Sequence, residues 1–598
     1  MSIADFLLGV IALAALALPG WMIARAARVS LPWLAGFMAG VVGLMTGVLI
    51  FDALGVPLTF ASCASLWLGL SVVTAWFTRR AIFRGTADPG TPRFDWRAHW
   101  PLLLVLIPAV AVVIYRATTQ PLFGIDTVFR WNYLAEQMFA RGSLAFYPPS
   151  TAGDYEIYSW PDGIAPAVSV IYFWTYLLAH ATRPLLTAPA VIFQYGGLLV
   201  LAFAMARRMF SDRAAVFAAA IVACSPVIAW ATAMGQETGL TALCLLAMLY
   251  YLPRDRAEVT RGAIVAAGLA AGLGALAREY GLALMLLGLI LAVLRRLSVR
   301  SVLEFVVVAA ITAFPWYIRN WIHTGNPIFN LDLAGWFPIN RTHAWLIQSY
   351  QAEFGWSQQP PAAWRFLFIN CGIVAVMGLA GALLNFRVAR PLLVGAAVVV
   401  ILWSASLGYT AAGFTTAIRV LSPALVLLAV LGGGALAQWF PSRRFLWVAS
   451  LVLCVFATDA ALRALTLPGT VYRIPPGDWL TAGNAVHEYH SRPVYGQIAR
   501  IAGTRRILVL GPNALLTTNG ARTVPLWSPE VACLFDDQLA PAEIARRLLA
   551  MNIGFMMLNQ GPANERFLAH SAYFREPGNT LRAVKVDDMI LLQIVDPK

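Results

Sequence analysis

The chain has 598 residues, 60% of them hydrophobic and only 12% charged. A mean hydropathy of +0.70 excludes a soluble globular domain and describes a polytopic α-helical membrane protein. The formal charge of +14 sits in short loops between apolar runs, where it signals topology and not nucleic-acid binding. Cys63, Cys224, Cys244, Cys371 and Cys454 lie in apolar runs and only Cys533 in a polar region, which gives neither a disulfide framework nor a paired-cysteine metal site.

Segments able to cross about 30 Å of hydrocarbon as helices fall at roughly 4–24, 31–53, 58–77, 100–116, 189–206, 212–231, 238–252, 262–277, 279–296, 302–320, 366–384, 391–409, 417–438 and 445–464, about fourteen spans. The first run lacks the charged start and small-residue cleavage site of a secretory signal and is expected to be a retained helix. The loops "RRAIFRG", "RRMFSDR", "PRDRAEVTR", "RRLSVR", "FRVAR" and "PSRR" all become cytoplasmic on one assignment. That leaves the N-terminus and everything after about residue 465 outside. The apolar stretch Gly163 to Ala181 is expected to enter the outer leaflet without crossing, because counting it as a span would put Arg207, Arg208 and Arg213 outside. Three regions follow: 1–99, N-terminal helices with a basic cytoplasmic loop; 100–465, the main membrane module; and 466–598, an external soluble domain.

In that last region "RILVLGPN", "APAEIARRLLAMN", "IGFMMLNQGP" and "DDMILLQIV" read as strand, helix, strand and strand of a small α/β domain. "VLGPN" lacks the later glycines of a dinucleotide fingerprint, and the histidines of "HEYH" at 487–490 are three apart, which misses the zinc-protease spacing.

Two external loops are long, 118–162 and 323–364, and long loops are uncommon without a function. Their Trp and Tyr residues, Trp160 among them, serve either as interfacial anchors or as faces for a sugar ring. Arg278 in "LAREYGL", Arg319 in "FPWYIRNW" and Arg419 in "TTAIRVLSP" fall on the external side, against the charge rule. Each can snorkel to headgroups or pair with an acid such as Glu279 or Asp332. Three on one face favour a shared anion, and the guanidinium fork suits a phosphate. Of the acids in the first loop, Glu136 reads as the polar face of an amphipathic helix over 128–140. Asp126, between Gly124 and a helix start at the membrane end, can be an N-cap, a site residue or both. Asp154 and Glu156 in "GDYE" are either a divalent-metal pair or a hydrated turn, and Asp162 completes the acidic set.

The external Asp126 before an aromatic amphipathic helix, "SWPDGIAPAVSVIYFW", "ARRMFSDRAAVFAAAIVACSP", "LAREYGLALML", "FPWYIRNWIHTGNPIFN" and "RVLSPALVLLAVLGG", in that order, resemble the GT-C glycosyltransferases. Within that superfamily they look most like the relatives of protein O-mannosyltransferase and of the aminoarabinose transferase acting on lipid A. The resemblance covers roughly 100–465 and implies a GT-C-like membrane catalytic module in the inner (plasma) membrane, with the C-terminal α/β domain periplasmic. It implies inverting transfer of a sugar from a polyprenyl-phosphate donor to a lipid, glycan or protein acceptor on the external face. Asp126 would be the general base, Arg278, Arg319 and Arg419 the donor phosphate ligands, and Asp154, Glu156, Asp162, Trp160 and Tyr280 candidates for acceptor, sugar or metal contacts. No cofactor is implied, and a divalent metal is not favoured. Thr127 stands where the mannosyltransferases show an acidic pair, and Ser159 and Trp160 where a Lys or His often precedes the Pro-Pro segment. Rival readings are a metal-dependent oligosaccharyltransferase or glycan ligase, and a lipid-linked-sugar flippase, although the related halves common in transporters are not seen.

Overall fold

The computed structural model describes residues 3–83, 94–124, 126–407, 416–467, 493–511, 514–559, 561–587 and 589–596. The "HEYH" segment, the end of "RRAIFRG" and the last residues of the 391–409 run lie outside them.

Among the described residues ten helices are long and apolar enough to cross a membrane, or eleven if one bent pair counts as a single span. That pair is Asp212–Ala223 and Pro226–Ala233, bent by 66°. The break has a local cause: the Ser225 hydroxyl caps the Ile228 amide and Pro226, which cannot continue a preceding helix, starts the next. The expected runs at 238–252, 262–277 and 279–296 form the shorter apolar helices Glu237–Tyr251, Arg261–Ala277 and Gly281–Leu294, so every expected segment is helical but three are short for a full crossing. The stretch 163–181 holds the 13-residue helix Ala167–Ala179, buried along most of its length.

The basic residues of the expected cytoplasmic loops tie one end of the bundle together. Arg208 pairs with Glu258, Arg295 donates to the carbonyls of Leu252 and Pro253 at 2.9 and 3.0 Å, and Arg213 donates to Phe440 O at 3.1 Å. The first three helices are part of the same core: Trp174 donates to Ala12 O at 2.9 Å and Tyr251 to Leu31 O at 3.2 Å.

The C-terminal domain is built on a five-stranded sheet of β1 (Arg506–Leu510), β2 (Thr523–Pro525), β3 (Ile553–Leu558), β4 (Leu581–Val586) and β5 (Met589–Ile594), in the order β2-β1-β3-β5-β4. β1 runs parallel to β2 and β3, while β5 is antiparallel to β3 and β4. β1 is buried at every position, as a central parallel strand must be. The domain sits on the two long loops. Trp527 donates to Ser159 O at 2.5 Å, Asn340 to Trp527 O at 2.8 Å, and Arg506 bridges Glu156 at 2.9 Å and Glu530. Trp160, His343 and Trp527 meet edge-to-face, with centroids 5.1 to 5.4 Å apart.

Candidate active site

Asp126 follows the span that ends at Thr119 and is fixed from both sides. Before it, Gly124 lies against Gln236, where any Cβ would fall 2.3 Å from the amide nitrogen. After it, the Thr127 hydroxyl folds back onto Leu122 O at 2.5 Å and starts a single wide turn of π-helix, Thr127–Trp131, a distortion that recurs at functional sites. Asp126 holds the N-cap position, yet its side chain caps nothing. The carboxylate instead accepts from Arg419 in an ion pair, both side chains no more than 16% exposed. Arg419 is carried by the 3-10 turn Ile418–Leu421 at the head of the helix Ser422–Trp439.

Burial pushes the Asp126 carboxyl up, but Arg419, Arg130 and Arg278 outweigh it and hold the group below the ordinary carboxylate range. Three guanidinium groups therefore act on one carboxylate. The Nε and Nη1 of Arg419 are buried with no hydrogen-bond partner, an arrangement that costs free energy unless a further acceptor arrives.

Arg130 leaves the same π-helical turn and donates through Nε to Asp162 at 2.6 Å. Asp162 also accepts from the Tyr147 hydroxyl at 2.7 Å and more loosely from Tyr158 at 3.4 Å. Burial and the Asp162 charge raise both phenols, so they remain donors. Asp162 is thus the buried counter-ion that orients Arg130.

Arg278 stands in a turn between two apolar helices, closed so tightly that a Cβ on Gly281 would fall 2.1 Å from Gly274 O. Its Nε pairs with Glu279 at 3.2 Å, the local pairing open to it in sequence. Its Nη1 lies 3.8 Å from Glu237, too far for a hydrogen bond, and is buried without a partner. Glu237, 1% exposed, stands in the first turn of the helix Glu237–Tyr251. The Tyr280 hydroxyl is buried beside these groups without a hydrogen bond of normal geometry, near Thr241.

The other expected residues are engaged elsewhere. Arg319 uses all three nitrogens: Nη2 and Nε on Asp52 at 2.8 and 3.2 Å, Nη2 also on Leu144 O at 3.0 Å, and Nη1 on Tyr147 O. It clips the second helix to the first long loop and spends four of its five N–H groups doing so. Asp154 closes a capping box with Thr151 and takes Ser150 N at 3.2 Å. Glu156 instead pairs with Arg506, so the two carboxylates are held by different partners, and no group of three His, Cys, Asp or Glu among the described residues is gathered as metal ligands would be. Trp160 presents its ring to Phe129, His343 and Trp527, which makes it a clamp between loops and tail. Glu136 is not a solvated face: it accepts from Asn132 at 2.8 Å, and burial pushes its carboxyl up to about 7. A separate cavity of about 220 Å³ near Cys224 and Trp439 is wholly apolar and holds none of the site residues.

Residues 167–319 match the family described as dolichyl-phosphate-mannose-protein mannosyltransferase. The chain resembles the GT-C membrane glycosyltransferases. The matched segment includes Glu237, Arg278 and Arg319, while Asp126, Arg130 and Arg419 lie outside it. Among solved structures, ArnT from Cupriavidus metallidurans bound to undecaprenyl phosphate aligns at 14% identity over 82% of this chain and 97% of that one, with a TM-score of 0.45. The Archaeoglobus fulgidus oligosaccharyltransferase tethered to an acceptor peptide aligns at 13% identity over 84% and 75%, with a TM-score of 0.45. No curated protein matches. Two groups of this cluster escape sequence reasoning. Arg130 lies four residues after Asp126, but its importance depends on the distant Asp162. Gln236 and Glu237 carry a signal that can be read, the polar interruption "MGQETGL" between apolar runs.

Proposed function

We propose that this protein is an inverting glycosyltransferase of the plasma (inner) membrane that moves a sugar from a polyprenyl-phosphate donor to an acceptor hydroxyl on the external face. Asp126 takes the acceptor proton as the acceptor oxygen bonds to the anomeric carbon. The bond from that carbon to the phosphate oxygen breaks, and its electron pair leaves with the phosphate. Arg419, Arg278 and Arg130 surround the developing charge. Arg319, expected among the phosphate ligands from sequence, has a structural role in this reading.

The observation that carries the proposal is the excess of buried cationic donors around one carboxylate. Arg419 and Arg278 together leave three N–H-bearing nitrogens buried and unpartnered. A phosphate supplies the acceptors they lack and draws Arg419 from Asp126, which strengthens Asp126 as a base in the complex. The family match over 167–319 supports a lipid-phosphate donor.

Purified protein in liposomes, given a panel of polyprenyl-phosphate sugars and candidate acceptors, tests the reaction directly through formation of a glycosidic bond. Asp126→Asn keeps the size and removes the basicity, so transfer should fall about 10²- to 10⁴-fold. Because the substitution also breaks a buried ion pair, the melting midpoint is read alongside. An Asp126→Asn protein that folds and transfers at the wild-type rate would remove Asp126 as the base. A preparation that moves the intact lipid-linked sugar across the bilayer without forming a bond would be a flippase.

A further inference from the structure

A second group of unpartnered polar atoms adjoins the arginine cluster and differs from it in chemistry. Gln236 is 1% exposed, yet neither its amide nitrogen nor its amide oxygen has a hydrogen-bond partner. The Oε2 atoms of Glu237 and Glu279 are likewise buried and unpartnered, as is Arg278 Nη1, and the buried Tyr280 hydroxyl has only a poorly aligned contact with Thr241. The charged groups and Tyr280 are contiguous: Arg278 pairs with Glu279 at 3.2 Å and stands 3.8 Å from Glu237, and the charges of Glu237, Arg278 and Glu279 all act on Tyr280. Gln236 abuts Gly124, two residues before Asp126. Buried polar atoms in native proteins are nearly always satisfied, so this many in one place mark a ligand that completes them.

The mixture of donors and acceptors identifies the ligand class. A phosphate at neutral pH only accepts, and two carboxylates would repel it. A hydroxyl both donates and accepts, and the 3.8 Å gap between Arg278 and Glu237 is one that a hydroxyl can bridge. We propose that Gln236, Glu237, Glu279 and Tyr280 form a subsite for the hydroxyls of a neutral sugar ring, next to the arginines that hold the phosphate. This inference rests on the glycosyltransferase reading and adds where the sugar is read. Arg278 stands between the two halves, and Gly124 is required because a side chain there would displace Gln236.

The test measures binding to the full-length protein in detergent of bare undecaprenyl phosphate and of a panel of undecaprenyl-phosphate hexoses and pentoses. At least one sugar-bearing lipid should bind wild type about tenfold tighter than the bare lipid. Gln236→Met, which keeps the length and removes both polar atoms, should bring that lipid to within about twofold of the bare one while leaving bare-lipid affinity unchanged. Tyr280→Phe, which removes a single oxygen, should reduce the preference in the same direction and is read alone if Gln236→Met does not fold. Equal wild-type affinity for all the lipids overturns the subsite, as does an equal loss for bare and sugar-bearing lipids in either variant. A preference unmoved by both substitutions means that the unpartnered atoms hold water, and the subsite falls. Binding of neither bare nor sugar-bearing lipid to wild type instead removes the glycosyltransferase reading itself.

Discussion

Two arginines that look alike in sequence are separated by what they touch. Arg319 has every nitrogen bonded, to Asp52 and two carbonyls, whereas Arg419 meets one carboxylate and keeps two buried nitrogens free. Breaking a buried ion pair from one side is worth about 3 to 5 kcal/mol, because the remaining charge is left uncompensated. Arg319→Gln should therefore lower the melting midpoint in detergent while turnover per folded molecule stays near wild type. Arg419→Lys keeps the charge and loses the fork, so turnover should fall at least about tenfold with a much smaller change in melting. Equal loss of turnover per folded molecule in the two variants would return Arg319 to the site.

At the scale of elements, the junction between the second long loop and the tail depends on a histidine that must stay neutral. Burial, with help from the Arg130 charge, pulls the His343 imidazole down to about 3, and its Nδ1 meets the Asn330 amide at 3.2 Å. The groups facing it are Asn330, Trp160, Trp527 and Arg130, none of which stabilises a positive charge by pairing. The unfolded residue titrates near 6.5, so between 6.5 and 3 the unfolded chain binds a proton that the folded one rejects. The stability contributed by neutral His343 is thus full above pH 6.5 and is lost as pH falls, by about 2 kcal/mol at pH 5. Thermal melts of wild type and His343→Phe at pH 7.5 and 5 should differ in slope, the variant losing less on acidification. Parallel losses would place the acid-sensitive group elsewhere.

For the whole molecule, the arginine cluster, both long loops and the sheet domain gather at one end of the bundle, and the loop arginines 208, 213 and 295 tie together helix ends elsewhere in it. On the positive-inside rule the site and the tail are expected outside. A reporter active only outside the cytoplasm, fused after Lys598, should be active. Activity of a cytoplasm-only reporter at the same place would invert the topology and move Asp126 to the other face.

The sequence by itself determines the helices, because a crossing segment must satisfy its backbone internally and so writes its apolar length into the chain. It also determines strands such as β1 and β3, whose continuous apolar runs reflect burial, but not β2, three residues long, or β4, half exposed at the sheet edge. Asp126, Arg278 and Arg419 are visible as charges at membrane ends. What those charges do is decided only in three dimensions. Arg419 finds Asp126 across 293 positions and Arg319 finds Asp52 across 267, and no local period records such a choice. The same holds for Asp154, engaged by its own capping box, and for Trp160, clasped by a tail that begins hundreds of residues later. Ion-pair and aromatic partners depend on which helix ends converge, a property of the packed bundle that single segments do not carry.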